Sequence, residues 1–187
     1  YLDDSLRVSS GNMKNLASKF ERNVYPVLQN YIGAVADSDI NSDPRITILN
    51  TKLQGVAGYY GSNDLVSSAI HPYSNELKIV YVDARLMHNH PNTYLSVLAH
   101  ELQHLLHALI DPGEETWINE GLSEVVSGIA GFTPSFINSF LKNPTVQLNS
   151  WADELDATSP HYGGSTLFVE YLAEHYGGYK GLKSKVN

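Results

Sequence analysis

The sequence predicts an α+β fold in which a small sheet packs on one long helix and the C-terminal part of the chain is mostly helical. Two short β-branched runs lie in the first half of the chain, whereas the second half shows only helical periodicity. Strands that precede helices, rather than alternate with them, favour α+β over a doubly wound parallel sheet. The 187 residues suit a single domain, with the sheet and the long helix over 1–111 and a helical lobe over 112–187.

The N-terminal half is predicted to contain one helix and two strands. Apolar residues recur at three- and four-residue steps from Ser9 to Tyr31, which indicates an amphipathic helix with a kink or break at Pro26. The β-branched run 45–49 and the run 77–83 predict strands, and a glycine-rich stretch lies between them over 55–61.

The remaining elements are predicted to be helices. Asn92 is a good N-cap for a long helix that reaches about Ile110, and the next helix covers 118–130. A short helix is expected to begin at Thr133-Pro134, and the last helix to cover 161–175. The acidic stretch 153–156 is most simply a solvated loop.

Composition excludes several classes of protein. Apolar residues make up 42% of the chain and charged residues 17%, which is typical of a globular protein. The net charge of −8 argues against nucleic acid and anionic lipid as partners, and no apolar run is long enough to span a membrane. Because the chain has no cysteine, any metal must be held by His, Asp and Glu. We expect a monomer whose leader peptide is already absent.

The strongest chemical signal is the run His100-Glu101-Leu102-Gln103-His104 within the long predicted helix. Residues four apart on a helix are rotated by about 40° and displaced by about 6 Å, so both imidazoles can bind one ion. Glu101 lies about 100° round the helix from His100, where it can take a proton from a water molecule beside that ion.

Catalytic zinc usually takes three protein ligands, so a third donor is needed. Glu120 is the best candidate, because a turn at 111–113 can fold its helix back against the first. His107 shares the helix of His100 and His104, and three donors on one helix surround an ion poorly. The metzincin pattern fails, because the required Gly and His positions hold His107 and Ile110. Glu124, one turn after Glu120, can accept the free imidazole N–H of a ligand histidine.

Together, His100-Glu101-x-x-His104 and Trp117-x-Asn119-Glu120-Gly121 resemble the gluzincin zinc metallopeptidases, and among them the hyicolysin-type secreted bacterial peptidases. The resemblance covers nearly the whole chain. It extends to Phe20-Glu21, Tyr25-Pro26, Asp43-Pro44-Arg45-Ile46-Thr47-Ile48, Gly58-Tyr59-Tyr60, Ser74-Asn75-Glu76, Gln103, Tyr162-Gly163, Phe168 and Tyr171-Leu172.

The resemblance implies a compact zincin fold with a small mixed sheet on the zinc-binding helix, and a secreted bacterial location. It also implies peptide-bond hydrolysis, with one zinc ion on His100, His104 and Glu120 and with Glu101 as the base.

Two further roles follow from the resemblance. Tyr162 is the candidate for stabilising the oxyanion, and its neighbour His161 is the rival. Gluzincins bind an extended substrate at an exposed sheet edge, and the segment 66–70 resembles that edge in position. Backbone contacts with substrate are therefore expected from Ser67, Ser68, Ala69 and Ile70.

Other metal signals are weaker. Asp37, Asp39, Asn41 and Asp43 match the start of a calcium loop, but Ser42 and Ile48 occupy the positions that need Gly and a bidentate Glu. A solvated turn is the simpler interpretation, with calcium as the alternative. The pair His88 and His90 is interpreted as surface or cleft-lining, since no carboxylate lies nearby in the sequence.

The sequence therefore favours a zinc endopeptidase that acts on polypeptides. One alternative is an exopeptidase of the same chemistry, in which Glu76 or Glu115 binds the substrate terminus. Another is a zinc-containing module that binds polypeptides without cutting them, although Glu101 has no purpose in such a module.

Overall fold

The structure is a computed structural model that describes residues 1–3, 6–33, 43–152 and 154–179. It confirms the α+β class, since three strands are followed by a mostly helical C-terminal part. The elements are α1 (Ser10–Lys19), a π-helical segment (Phe20–Val24), α2 (Tyr25–Tyr31), β1 (Thr47–Thr51), β2 (Gly58–Tyr60), a 3-10 turn (Ser62–Leu65), β3 (Ile79–Asp83), α3 (Leu86–Asn89), α4 (Pro91–Ala108), α5 (Thr116–Ile129), α6 (Ile137–Lys142) and α7 (Leu155–His175).

The sheet is small and mixed, with the strand order β1-β3-β2. The central strand β3 runs parallel to β1 and antiparallel to β2, and all five of its residues are buried. β1 begins two residues later than predicted. β2 was not predicted, because three residues in a glycine-rich stretch are too few to show a strand periodicity.

The two outer strands differ in what covers them. The N-terminal residues pair with β1, where Asp3 N–H donates to Asn50 O over 2.9 Å and Asn50 N–H donates to Tyr1 O over 3.0 Å. β2 is therefore the strand of this sheet whose outer edge stays unpaired in the described part of the chain.

The core lies between the sheet and α4. Val80 and Val82 of β3 are fully buried against the apolar face of α4, in one cluster with Leu98 and Leu102. A Cβ atom at Gly58 would come within 2.6 Å of Val97 Cγ1 and 3.0 Å of Glu101 Cγ. Glycine at this position therefore lets β2 lie directly on α4, beside Glu101.

The N-terminal helix extends over the predicted range, and Pro26 acts as a distortion within it. Tyr25 N–H donates to Phe20 O, five residues back, so the turn before the proline is widened into a π-helix. A wider turn relieves the clash between a proline ring and the carbonyl of the preceding turn.

Three predicted helix starts were wrong. α4 begins at Pro91, directly after His90, so Asn92 lies inside its first turn and is not the N-cap. Proline is favoured at the first helical position because the backbone N–H that it lacks would have no partner within the helix there. α6 begins at Ile137 rather than at Thr133-Pro134, since Ser135 N–H donates instead to Glu124 Oε2 over 3.1 Å.

The third wrong start is that of α7, which begins at Leu155, six residues before the predicted position, with Pro160 inside the helix. The predicted loop at 153–156 is thus helical from Leu155 onward, while Asp153 lies outside the described residues. Asp37, Asp39 and Asn41 of the candidate calcium loop also lie outside them. Asp43 is described, and its carboxylate accepts two hydrogen bonds from the Arg45 guanidinium.

The helical part is held together by close contacts at glycines. A Cβ atom at Gly121 of α5 would lie 2.8 Å from Ser165 O of α7. At Gly163 of α7, a Cβ atom would collide with the Phe136 carbonyl and lie 2.8 Å from Phe140 Cβ. No helix in the described ranges combines the length and the apolar character needed to cross a membrane.

We predict that Gly163→Ala lowers the free energy of unfolding by about 2 kcal/mol or more, because the Phe136 backbone cannot move aside cheaply. Gly11→Ala is the matched control, since a Cβ atom at Gly11 in α1 meets nothing within 4 Å. The control should raise stability by about 0.5–1 kcal/mol through helix propensity. Urea denaturation measures both, and equal stabilities for the two variants would contradict the prediction.

Candidate metal centre

Helices α4 and α5 bring together the three predicted ligands His100, His104 and Glu120. The two Nε2 atoms of the histidines lie 3.1 Å apart. Glu120 Oε2 lies 3.1 Å from His100 Nε2 and 3.3 Å from His104 Nε2. The three side chains are only 10–17% exposed, so the cluster is mostly buried but still open to a ligand from solvent.

The triangle of donor atoms fits a zinc ion. Bonds of about 2.0–2.1 Å at tetrahedral angles place neighbouring ligand atoms about 3.3–3.4 Å apart. The observed separations of 3.1–3.3 Å match this spacing closely. Two imidazoles and one carboxylate form a donor set typical of catalytic zinc. In the described part of the chain, this triad is the one group of three candidate ligands close enough to share an ion.

The triad depends on the antiparallel register of α4 and α5. Near one end of the pair, Ser96 Oγ of α4 lies 3.0 Å from Ser127 Oγ of α5. Toward the other end, His104 Nδ1 lies 3.0 Å from Asn119 Oδ1. The chain reverses between the two helices at 111–113, where Gly113 N–H donates to Asp111 Oδ1 over 3.0 Å.

Each ligand histidine has an acceptor at its second ring nitrogen. His100 Nδ1 lies 3.2 Å from Glu124 Oε1, in the position that the sequence suggested for this carboxylate. His104 Nδ1 lies 3.0 Å from Asn119 Oδ1. Both Nδ1 atoms therefore carry a hydrogen, so Nε2 is the nitrogen that each ring presents to a metal. No role was predicted for Asn119, and its place beside Glu120 is the signal in the sequence that points to it.

In the metal-free protein, the centre contains a protonated histidine paired with carboxylates. Burial alone would lower the pKa of His100, but hydrogen bonds to Glu120 and Glu124 outweigh it and raise the pKa to about 10. Burial alone would raise the pKa of Glu120, but hydrogen bonds from His100 and His104 lower it to about 2. At neutral pH, His100 is therefore cationic and Glu120 anionic.

Glu101 lies between α4 and β2, beside the triad. Glu101 is 8% exposed, and its carboxylate accepts a hydrogen bond from the backbone N–H of Tyr60. Burial raises the pKa of Glu101, and the neighbouring His100 and His104 oppose that rise. The side chain is thus a buried carboxylate next to the ligands and outside the donor triangle.

The structure also brings Tyr162 to the centre. Its ring centroid lies 6.3 Å from that of His100, and its hydroxyl donates to Glu120. Burial, followed by the nearby carboxylates, raises the pKa of Tyr162, so its hydroxyl keeps its proton. The rings of Phe136 and Trp151 pack against the Tyr162 ring at 5.2 and 4.8 Å.

His161 and His107 take other positions. His161 is 6% exposed, its Nδ1 donates to Gln147 O over 3.1 Å, and its ring packs on Trp151. Its catalytic role stays a prediction. His107 is buried, with its Nδ1 3.3 Å from Gln103 Nε2, and does not belong to the triad. His88 and His90 are exposed, and they lie at the end of α3.

The predicted sheet edge at 66–70 was wrong, because this segment forms turns. The backbone N–H groups of Ile70 and His71 donate to Ser67 O over 2.8 and 3.0 Å. The Ser68 N–H donates to Glu76 Oε1 over 2.6 Å, and this bond is the main reason that the pKa of Glu76 is lowered. Local hydrogen bonds thus replace the ladder of a strand. Substrate contacts from Ser67, Ser68, Ala69 and Ile70 stay a prediction.

Comparison of the chain with protein-family models, with curated proteins and with solved structures finds no match. The geometry and donor chemistry of the centre are therefore the basis for interpreting it.

We predict that zinc binding at pH 7 releases about one proton, because the pKa of His100 is about 10 in the metal-free protein and its Nε2 must be deprotonated to bind zinc. One displaced proton means that zinc affinity rises about tenfold per pH unit while the pH stays below that pKa. Chelator-competition titrations from pH 6.5 to 9 measure this slope. Glu124→Gln should make the slope shallower, and a pH-independent affinity would contradict the assignment.

Proposed function

We propose that this protein is a zinc-dependent peptidase of gluzincin type that cleaves internal bonds of polypeptides. The observation that carries the proposal is the position of the Glu101 carboxylate. It is buried next to His100, His104 and Glu120 without belonging to that triad, and the donor spacing of the triad fits zinc. A structural zinc site is closed by four ligands and needs no neighbouring base, whereas a catalytic site needs both an open position and a base.

The chemistry divides between the metal and the protein. Bound zinc would polarise the scissile carbonyl and make water more acidic. Glu101 takes the proton of the attacking water and later delivers it to the leaving amine. Its pKa is raised by burial, which makes the carboxylate a stronger base than an exposed glutamate.

Tyr162 is suited to stabilise the oxyanion. Its hydroxyl lies at the centre, where it donates to Glu120, and its raised pKa keeps the proton in place at neutral pH. The rings of Phe136 and Trp151 fix the position of the phenol before substrate arrives. A donor that is already aimed at the developing charge needs no reorganisation during the reaction.

The open edge of β2 supports a polypeptide substrate. Asp83 N–H donates to Ala57 O over 2.8 Å, so Ala57 hydrogen-bonds to the β3 side. In an antiparallel pair the backbone N–H and C=O groups of every second residue point to the partner strand, so those of Gly58 and Tyr60 point away from β3. Tyr60 N–H meets the Glu101 carboxylate at this edge. A peptide that adds to β2 as a further strand therefore passes directly beside the base.

Cleavage of internal bonds fits this geometry better than removal of a terminal residue. An exopeptidase needs a charged group that holds the substrate terminus. Glu76, one of the two candidates, directs its carboxylate to Ser67 and Ser68 within its own loop. Recognition along the main chain, by contrast, requires no terminus and tolerates many side chains. The secreted location stays a prediction.

We expect Glu101→Gln to lower the rate of casein hydrolysis by about 10²–10⁴-fold, the range for loss of a general base, while zinc content stays near one per chain. Glu174→Gln on the exposed surface of α7 is the control, and it should keep full activity. The assignment of the base fails if Glu101→Gln still digests casein. The whole proposal fails if the wild-type protein binds zinc but cleaves no polypeptide that carries a range of sequences.

Tyr162→Phe removes one hydroxyl and should lower kcat by about 10²-fold, with KM and zinc affinity nearly unchanged, because the lost hydrogen bond forms in the transition state. Tyr171→Phe makes the same chemical change at a half-exposed position on α7 and should leave kcat unaltered. Steady-state kinetics on a fluorogenic peptide separates the two parameters. A rise in KM alone would show that Tyr162 binds substrate without stabilising the oxyanion.

A further inference from the structure

A small cavity lies at the start of α5, and the function described so far makes no use of it. Its walls come from the first residues of α5 and from the loop before α7, and they consist of Glu115, Thr116, Trp117, Leu148, Asn149 and Trp151. The chain contains two tryptophans, and both line this cavity. None of the described residues around it is positively charged. The cavity is thus an aromatic recess that carries one carboxylate.

This cavity is close enough to the metal centre to contact a bound peptide. Trp117 precedes Glu120 by three residues on α5, which is about 4.5 Å along the helix axis. On the other wall, the Trp151 ring packs against the Tyr162 ring with the centroids 4.8 Å apart. An extended peptide advances about 3.3 Å per residue, so the cavity lies within reach of a substrate side chain one to three residues from the scissile bond.

Contacts within the protein hold the two indole rings in place. Trp151 Nε1–H donates to Leu148 O over 2.7 Å. The Trp117 ring makes a T-shaped contact with the Phe168 ring of α7, with the centroids 5.3 Å apart. Both tryptophans are only half-buried, so part of their apolar surface remains for a ligand to cover.

The Glu115 carboxylate is available to a ligand. Glu115 is the N-cap of α5, but its side chain makes no capping hydrogen bond. Its backbone is fixed, since its N–H donates to Glu114 Oε1 over 2.8 Å and its carbonyl accepts from Asn119 N–H over 3.0 Å. Among the described residues, no hydrogen bond or ion pair involves the Glu115 carboxylate. The charge therefore stands at the cavity without a partner from the described part of the chain.

A lysine or arginine side chain matches this combination of indole surface and carboxylate. Such a side chain packs its aliphatic stem on apolar surface while its charged head stays at a polar, solvated position. A purely apolar side chain would remove water from the Glu115 carboxylate without pairing its charge, and an acidic side chain would be repelled. The chemistry of the walls thus favours a cationic side chain over both alternatives.

We propose that this cavity is a substrate subsite for a lysine or arginine side chain, and that Glu115 determines the preference. This inference rests on the proposed function and names the substrate class of the same centre. Glu115 was a candidate for binding the substrate terminus of an exopeptidase. A side chain within the peptide fits the cavity better, because an α-ammonium group has no aliphatic stem to pack on the two indole rings.

The test uses peptides that are acetylated at the N-terminus and amidated at the C-terminus, so that no charged terminus can occupy the cavity. Lysine or its uncharged analogue norleucine is placed at each of the three positions on either side of the cleaved bond. At one position, kcat/KM should be about 5-fold higher for lysine, the upper end of the effect of an exposed ion pair. Equal values at every position would overturn the subsite and leave the proposed function intact.

Glu115→Gln should remove this preference, so that the ratio of the two kcat/KM values falls to about 1. Glu114→Gln is the matched control, because it removes the same charge from the adjacent residue, outside the cavity, and glutamine can still accept the Glu115 N–H hydrogen bond. The control should keep the ratio near 5. Equal losses in the two variants would show that surface charge attracts lysine without a subsite, and would overturn the role of Glu115.

Tryptophan fluorescence tests the same contact without catalysis, because both tryptophans of the chain line the cavity. Titration of zinc-loaded Glu101→Gln with the lysine peptide should change the emission in a saturable manner, with about 5-fold higher affinity than the norleucine peptide. Equal affinities for the two peptides would overturn the subsite. If the wild type cleaves none of the peptides, the proposed function fails, while the same titration of the wild type with the whole peptide set still decides whether the cavity prefers a cationic side chain.

Discussion

The register between α4 and α5 is the constraint on which the rest of the structure depends. Two of the three donors share one helix and keep their spacing in any context, but the third comes from the neighbouring helix. A slide of one residue along α5 would carry the Glu120 carboxylate about 1.5 Å along the axis and about 100° around it. Three contacts hold this register: Ser96 with Ser127, His104 with Asn119, and the close packing of α7 against Gly121.

Burying two histidines and two glutamates around one point carries an electrostatic cost, and the protein offsets it without a metal. Protonated His100 directs its Nε2–H group to Glu120 and its Nδ1–H group to Glu124, so the charges of the centre are paired and hydrogen-bonded. Zinc would take the position of the hydrogen on His100 Nε2 with little change in the side chains, because the donor atoms already lie at tetrahedral spacing. Preorganisation of this kind lowers the cost of binding, and it makes the affinity depend on pH.

Two other parts of the fold complete the surroundings of the centre. Gly58 allows β2 to lie on α4, and this contact both buries Glu101 and leaves an unpaired strand edge beside it. From the other side, α7 supplies Tyr162, whose ring is held by Phe136 and Trp151. The close approach of α6 to α7 at Gly163 holds Phe136 in place, so a packing contact far from the ligands determines where the phenol lies.

The sequence by itself determined the features of the site that depend on the spacing of residues close together in the chain. The periodicity of α4 and the i, i+4 spacing of His100 and His104 follow from 3.6 residues per turn, and Glu120 followed from the short connection to α5. Only the tertiary structure decided which acceptors stand behind the ligands, that the open edge is β2, and that residues 66–70 fold into turns. Those features arise from contacts between segments that are distant in sequence. Because the register and close approach of packed elements set such contacts, no local pattern of residues records them.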